Sequence, residues 1–167
     1  MFSPGDLVVY GVHGVCRITE LEKRTVDRKV LEYLVLEPTD GTLSRFFVPT
    51  HNEAALKKLQ PVLSRQELEE ILHSPQVRKN VWIDDENQRK QRYRELISGS
   101  DRVALLQMVR CLHIHKKQIT AAGRKFHQCD ENFLRDAERL LDSEFALVLG
   151  LEPGQVGEYV ITAMEND

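Results

Sequence analysis

The hydrophobic period of this chain changes at Pro61, and that change constrains its fold more than any other feature. Before it, β-branched and aliphatic residues come in short runs, Leu7 to Tyr10, Val15 to Leu21, Leu31 to Leu36 and Thr42 to Val48. Within the third run Leu31, Tyr33 and Val35 alternate with Glu32 and Leu34, the two-residue period of a strand. After Pro61 the apolar residues recur at steps of three and four, the period of a helix. A length of 167 residues accommodates two small domains. The sequence therefore predicts an α+β chain in two domains, residues 1–60 and 61–167.

In the first domain, Gly11 and Gly14 lie between two strand-like runs and can take positive φ, so residues 5–18 read as a hairpin. Thr39-Asp40-Gly41 is a second turn signal. Val48-Pro49 ends the fourth run because proline has no N–H to give to a ladder. A short turn over 52–56 and a last strand near 58–60 complete the module. About five short strands closing on themselves make a small SH3-like or Tudor-like barrel, which removes open sheet edges in ~60 residues.

The second domain reads as an all-α bundle of about five helices. Ser64-Arg65-Gln66-Glu67 is a capping box that opens the first. Residues 80–98 read as the second, with Trp82 near its start and Ser98-Gly99 at its end. Ser100 is placed to cap a third, from Asp101 to about His115, whose apolar residues wrap most of its circumference and make it central. Residues 118–128 read as irregular. Phe133, Leu134, Ala137, Leu140, Leu141, Phe145 and Val148 then form an amphipathic stripe stopped by Gly150, and Pro153 suits the first turn of a last helix.

Formal net charge is -3, yet residues 87–127 carry ten basic side chains against two acidic ones, and the last forty residues reverse this with two against ten. A basic block inside a near-neutral chain is a candidate phosphate-facing surface; alternatively it pairs with the acidic C-terminal helices. Cys16, Cys111 and Cys129 are an odd set in strand, helix and loop contexts, which suits a reducing compartment. No apolar run approaches the roughly 18 residues of a membrane span, and the first residues lack an export signal, so a cytoplasmic protein without membrane contact is expected. Nucleophile, base and metal ligands do not converge in the sequence: Cys111 and His115 share a helix face, but two ligands fall short of a zinc site. The expectation is a non-enzymatic protein without metal or other cofactor.

Within residues 80–98, Tyr93, Leu96 and Ile97 form a narrow apolar stripe, leaving Arg89, Lys90, Arg92 and Arg94 to face outward, where cations hold phosphates without reading sequence. Trp82, the only tryptophan, is either a wedge at the edge of an opened duplex or an anchor in the core.

The motif Gly5-Asp6-x-Val8-Val9-Tyr10-x-x-His13-Gly14-Val15, followed by Ile18, by Glu32-Tyr33-Leu34-Val35-Leu36 and by Val48-Pro49, resembles the N-terminal signature of the CarD/CdnL family of bacterial transcription regulators. The transcription-repair coupling factor shares that signature. The resemblance continues through Leu96-Ile97-Ser98-Gly99 and Ala137-Glu138-x-Leu140-Leu141-x-x-Glu144-x-Ala146. It implies a monomer whose Tudor-like module docks on the β subunit lobe of RNA polymerase. It also implies that the helical domain touches promoter DNA at the upstream edge of the melted bubble and stabilises the open complex. On that resemblance Arg24 and Phe47, assisted by Arg45, are the polymerase contacts, and Trp82 is a minor-groove wedge. Arg89, Lys90, Arg92, Arg94, Lys116, Lys117, Arg124 and Lys125 supply the DNA-facing charge. Three positions depart from the pattern. Gly11 stands where a proline often follows the tyrosine, Phe47 replaces a basic residue, and Trp82 precedes Gly99 by about one helical turn more than in the actinobacterial pattern. An adapter that binds polymerase without touching DNA is the alternative.

Overall fold

The computed structural model describes residues 2–165 and divides after Val62 into two compact units. The N-terminal unit is a five-stranded antiparallel sheet: β1 (Leu7–Tyr10), β2 (Val15–Val26), β3 (Lys29–Pro38), β4 (Phe46–Pro49) and β5 (Leu59–Pro61), in the spatial order β4-β3-β2-β1-β5. One helical turn, α1 (Glu53–Leu56), carries the chain between the two ends of this ladder. The pairs Val8↔Cys16, Ile18↔Leu36 and Leu34↔Val48 put their side chains on one face, and these residues with Leu59 form the buried core. Gly11 and Gly14 do take positive φ, around a single 3-10 turn. A tighter hairpin escapes the periodicity: β2 and β3 are joined by Asp27-Arg28 alone, both at positive φ, the geometry of a type I′ turn usually given to Asn-Gly or Asp-Gly. Both strands are accordingly longer than the apolar runs suggest.

The C-terminal unit contains α2 (Arg65–Leu72), a 3-10 turn at Pro75–Arg78, α3 (Glu86–Gly99), α4 (Arg102–Ala121), α5 (Gln128–Leu149) and α6 (Pro153–Glu165). The capping box at Ser64 and Glu67 forms in both directions. Buried Leu105, Leu106, Met108, Val109, Cys111 and Leu112 make α4 the bundle's centre. α5 buries the stripe Leu134, Ala137, Leu141, Phe145 and Leu149. Gly150 closes α5 in the left-handed region.

Three boundaries differ from the sequence reading. The second helix begins at Glu86, not near residue 80, because the Asp85 carboxylate takes the Gln88 N–H at 2.8 Å and caps it there. Trp82 therefore lies on a non-helical strap, residues 79–85. The cap of α4 is Asp101, whose side chain takes the Ala104 N–H, while Ser100 sits at φ +55 and ends α3. α4 runs on to Ala121, since Ile119 still packs on the core and the chain first turns at Gly123.

Candidate functional site

In the N-terminal unit a β-bulge decides which way the charged side chains point. Ile18 pairs with Leu36 but Glu20 pairs with Val35, so Thr19 is an extra residue and the two-residue alternation shifts phase there. Without it Glu20, Glu22 and Arg24 would follow Ile18 into the core; with it they stand on the opposite face, beside Phe47, which pairs with Val35. The Arg24 guanidinium lies 4.1 Å from the centroid of the Phe47 ring and donates to Glu22 at 3.1 Å. Arg45 approaches the same ring at 5.9 Å and bridges Glu20 and Glu37 at 3.0 and 3.4 Å. Half-exposed pairs of this kind contribute at most about 1 kcal/mol each, so both guanidinium groups stay open to exchange their carboxylates for others. The result is an aromatic ring flanked by two cations.

In the helical unit the centre of interest is Trp82. His115 of α4 stacks on the indole, with centroids 3.6 Å apart and planes at 21°. The Arg89 guanidinium lies 4.4 Å from the indole ring. His115 and Arg89 thus both pack over the indole and hold it in place. The indole Nε1 donates to Asp84 at 3.1 Å, and the Trp82 N–H to Asn80 at 3.0 Å. His115 is held below the ordinary imidazole range, chiefly by burial and then by the nearby Arg89, which keeps the stacked ring neutral at neutral pH. Burial also raises the Cys111 thiol beside it.

Arg89 is the clearest correction to the sequence reading. Expected to face outward, it is 4% exposed and forms a two-pronged pair with Asp130, Nε to Oδ1 at 3.0 Å and Nη2 to Oδ2 at 3.1 Å. Its third nitrogen, Nη1, donates to the carbonyls of Ile83 and Asp84. Arg89 thus ties the strap to the bundle and is too deeply buried to serve as an outward-facing cation. Sequence inspection could not show this because its partner lies 41 residues away, in the acidic first turn of α5.

The other expected phosphate ligands separate into two groups. Lys90 pairs with Glu86, Arg92 with Glu95 and Lys116 with Glu131. Arg94, Lys117, Arg124 and Lys125 are exposed and have no ion pair among the described residues. Three of these four gather at one place, because the Arg124 N–H folds back onto the Ile119 carbonyl and brings the loop against the C-terminal end of α4 that carries Lys117. That end of a helix already carries partial negative charge, which favours cations there. No group of three or more potential metal ligands occurs among the described residues.

Residues 2–62 match the family model of the CarD-like/TRCF RID domain. The N-terminal unit is a CarD-like RNA polymerase-interacting domain. No curated protein matches the chain.

The CarD-like domain coincides with the sheet unit, and Arg24, Arg45 and Phe47 converge within it on one face. The match ends at Val62, so the DNA-facing assignments rest on the helical unit's own geometry. That geometry adds His115, Asp84 and Asp130 as residues which the sequence alone did not single out for Trp82. The one available signal was His115 at four residues from Cys111, and it suggested a ligand pair rather than a stacking partner. No helix among the described residues is long and apolar enough to cross a membrane.

Proposed function

We propose that this protein is a bacterial transcription regulator. On this reading the CarD-like domain docks on the β subunit lobe of RNA polymerase, and the helical unit contacts promoter DNA at the upstream edge of the melted region. The observation that carries it is the union, in one chain, of a polymerase-interacting domain with a helical unit whose cations Lys117, Arg124 and Lys125, without an ion pair among the described residues, collect at one end of α4. A net charge of -3 gives weak affinity for free DNA, and docking supplies the effective concentration. Contacts made only with melted promoter favour the open complex about tenfold per ~1.4 kcal/mol of differential binding. Trp82 acts from a fixed position: with His115 and Arg89 packed over its rings, it supports the strap on which it sits and meets DNA with the part that they leave exposed. The chain works without enzymatic chemistry, as a monomer in the cytoplasm where polymerase resides.

The test is the triple change of Lys117, Arg124 and Lys125 to Ala in the polymerase complex on a forked promoter. Three lost phosphate contacts should lower the slope of log affinity against log salt by roughly 2 to 3. An unchanged slope with polymerase still bound rejects DNA contact. It favours the adapter reading, which gains support from the neutralisation of Arg89, Lys90, Arg92 and Lys116 within the fold. Trp82→Ala should shorten the open-complex lifetime; an unchanged lifetime in a folded variant removes Trp82 from the contact.

A further inference from the structure

We infer that His115 is a proton-operated latch on the strap that carries Trp82: the neutral ring holds the strap against α4, and protonation releases it. The strap is held by a handful of contacts. Residues 79–85 lie outside any helix or strand, and Trp82 meets the bundle at the His115 ring, 3.6 Å away, and the Arg89 guanidinium, 4.4 Å away. The Asn80 amide oxygen takes the Cys111 thiol at 3.6 Å. Arg89 donates to the carbonyls of Ile83 and Asp84, and Arg110 to that of Arg78 just before the strap.

Protonation of His115 sets a second cation at the indole. Separations of 3.6 and 4.4 Å from one ring put the imidazole and the Arg89 guanidinium no more than about 8 Å apart, within the ~8 Å Debye length at physiological salt. Arg89 is not free to withdraw, since Asp130 holds it by two bonds and two carbonyls hold its third nitrogen. Both carboxylates that face His115 are already engaged, Asp130 with Arg89 and Asp84 with the indole Nε1. His127, the N-cap of α5, adds a like charge when it is itself protonated, and Arg110 and Cys111 of α4 border the same cavity as His115.

Burial first and Arg89 second oppose the charged ring, so the folded imidazole takes its proton below the ordinary range. The latched strap binds that proton less tightly than a solvated histidine does, and this fixes the sign of the linkage. Closure is complete above about pH 6.5 and is lost as pH falls through the lowered value. For its consequence the inference rests on the promoter contact proposed for Trp82: acid loosens the surface that meets DNA and so couples open-complex lifetime to the pH of the cell interior.

The full chain alone reports the latch in two ways. Trp82, the sole tryptophan, gives one emission signal, and the Cys111 thiol, 7% exposed and in contact with Asn80 of the strap, gives a labelling rate with 4,4′-dithiodipyridine. Cys129→Ser removes the more accessible thiol, and Cys16 is 0% exposed. From pH 7.5 to 5 the emission should shift to the red, and Cys111 labelling, measured against free cysteine at each pH, should accelerate at least tenfold. Both should follow one midpoint below the ordinary imidazole value while helical circular dichroism holds. His115→Phe, which keeps a flat ring over the indole and has no proton to take, should stay closed throughout. No change in the unsubstituted chain, the same transition in His115→Phe, or a parallel loss of helical signal overturns the latch. In the polymerase complex at pH 5.5, open-complex lifetime should be at least threefold shorter with the unsubstituted chain than with His115→Phe. Equal lifetimes beside a clear transition in the isolated chain keep the latch and reject the promoter contact proposed for Trp82.

Discussion

Replacing Asp130 by Ala should be among the most damaging single changes available in the helical unit. The carboxylate is 1% exposed and the guanidinium it holds 4%. The substitution strands a buried cation whose remaining contacts are two carbonyls and the Trp82 ring. Breaking a buried pair by removing one partner costs about 3–5 kcal/mol, mostly the penalty of the unpaired charge. Asp130 also lies in the first turn of α5, where its negative charge complements the helix dipole by a further ~0.3–1 kcal/mol. With about 2 kcal/mol per M of urea as a representative slope, a loss of ~4 kcal/mol moves the midpoint by about 2 M. The assay is urea unfolding followed by helical circular dichroism together with Trp82 emission, which should shift to the red as the strap loosens. Asp130→Asn, which keeps the shape and removes the charge, should lose most of the same stability. The double change Arg89→Met with Asp130→Leu should recover much of it, less about 1 kcal/mol for each strap carbonyl left unpaired. If Asp130→Ala costs under ~1 kcal/mol with an unchanged slope, the pair is screened by solvent and the account of Arg89 as the strap's fastener is wrong.

Three further outcomes follow from the same geometry. Burial, followed by the Glu138 charge, raises the Asp142 carboxyl to about 6. Its folded pKa lies above the unfolded one, so the native state binds the extra proton and stability falls as pH rises from about 4 to 6; Asp142→Asn should therefore stabilise at pH 7 by roughly 1 kcal/mol after allowing for its partial exposure, and not below pH ~4, as thermal melts across pH would show. Arg24→Glu should weaken association with polymerase at least tenfold while the sheet unit melts as before, and retained binding in a pull-down or by interferometry removes Arg24 from the contact. Ser64→Ala should cost about 1 kcal/mol through loss of the reciprocal cap, measured by urea unfolding; no loss would mean that α2 is fixed by packing alone.

Local signals were legible where cause and effect lie within a few residues. The capping box at Ser64, the turn glycines Gly11 and Gly14, and the stop at Gly150 all appear in the structure because each acts on its own neighbours. The placement of Arg24 was legible only by resemblance, since the bulge at Thr19 that turns it outward has no composition of its own. Trp82 was assigned to a helix because Val81, Trp82 and Ile83 extend an apolar pattern, while the cap at Asp85 that excludes them acts from downstream. Arg89 looked like its neighbours Lys90 and Arg92, and nothing in the run 89–94 marks which cation will meet an acid from another helix.

From Glu20 to Val26, β2 pairs with β3 alone, and Val26 and Val30 near the tip of this two-stranded arm are 42% and 68% exposed. An apolar-tipped ribbon with uncovered flanks is the kind of template on which sheets grow from molecule to molecule. The charges along it, Glu22, Lys23, Arg24, Asp27, Arg28, Lys29 and Glu32, act as gatekeepers against that fate. These charges set the colloidal behaviour of the arm, so a substitution such as Arg24→Glu, made to probe docking, would also tune the tendency of the protein to form fibrils.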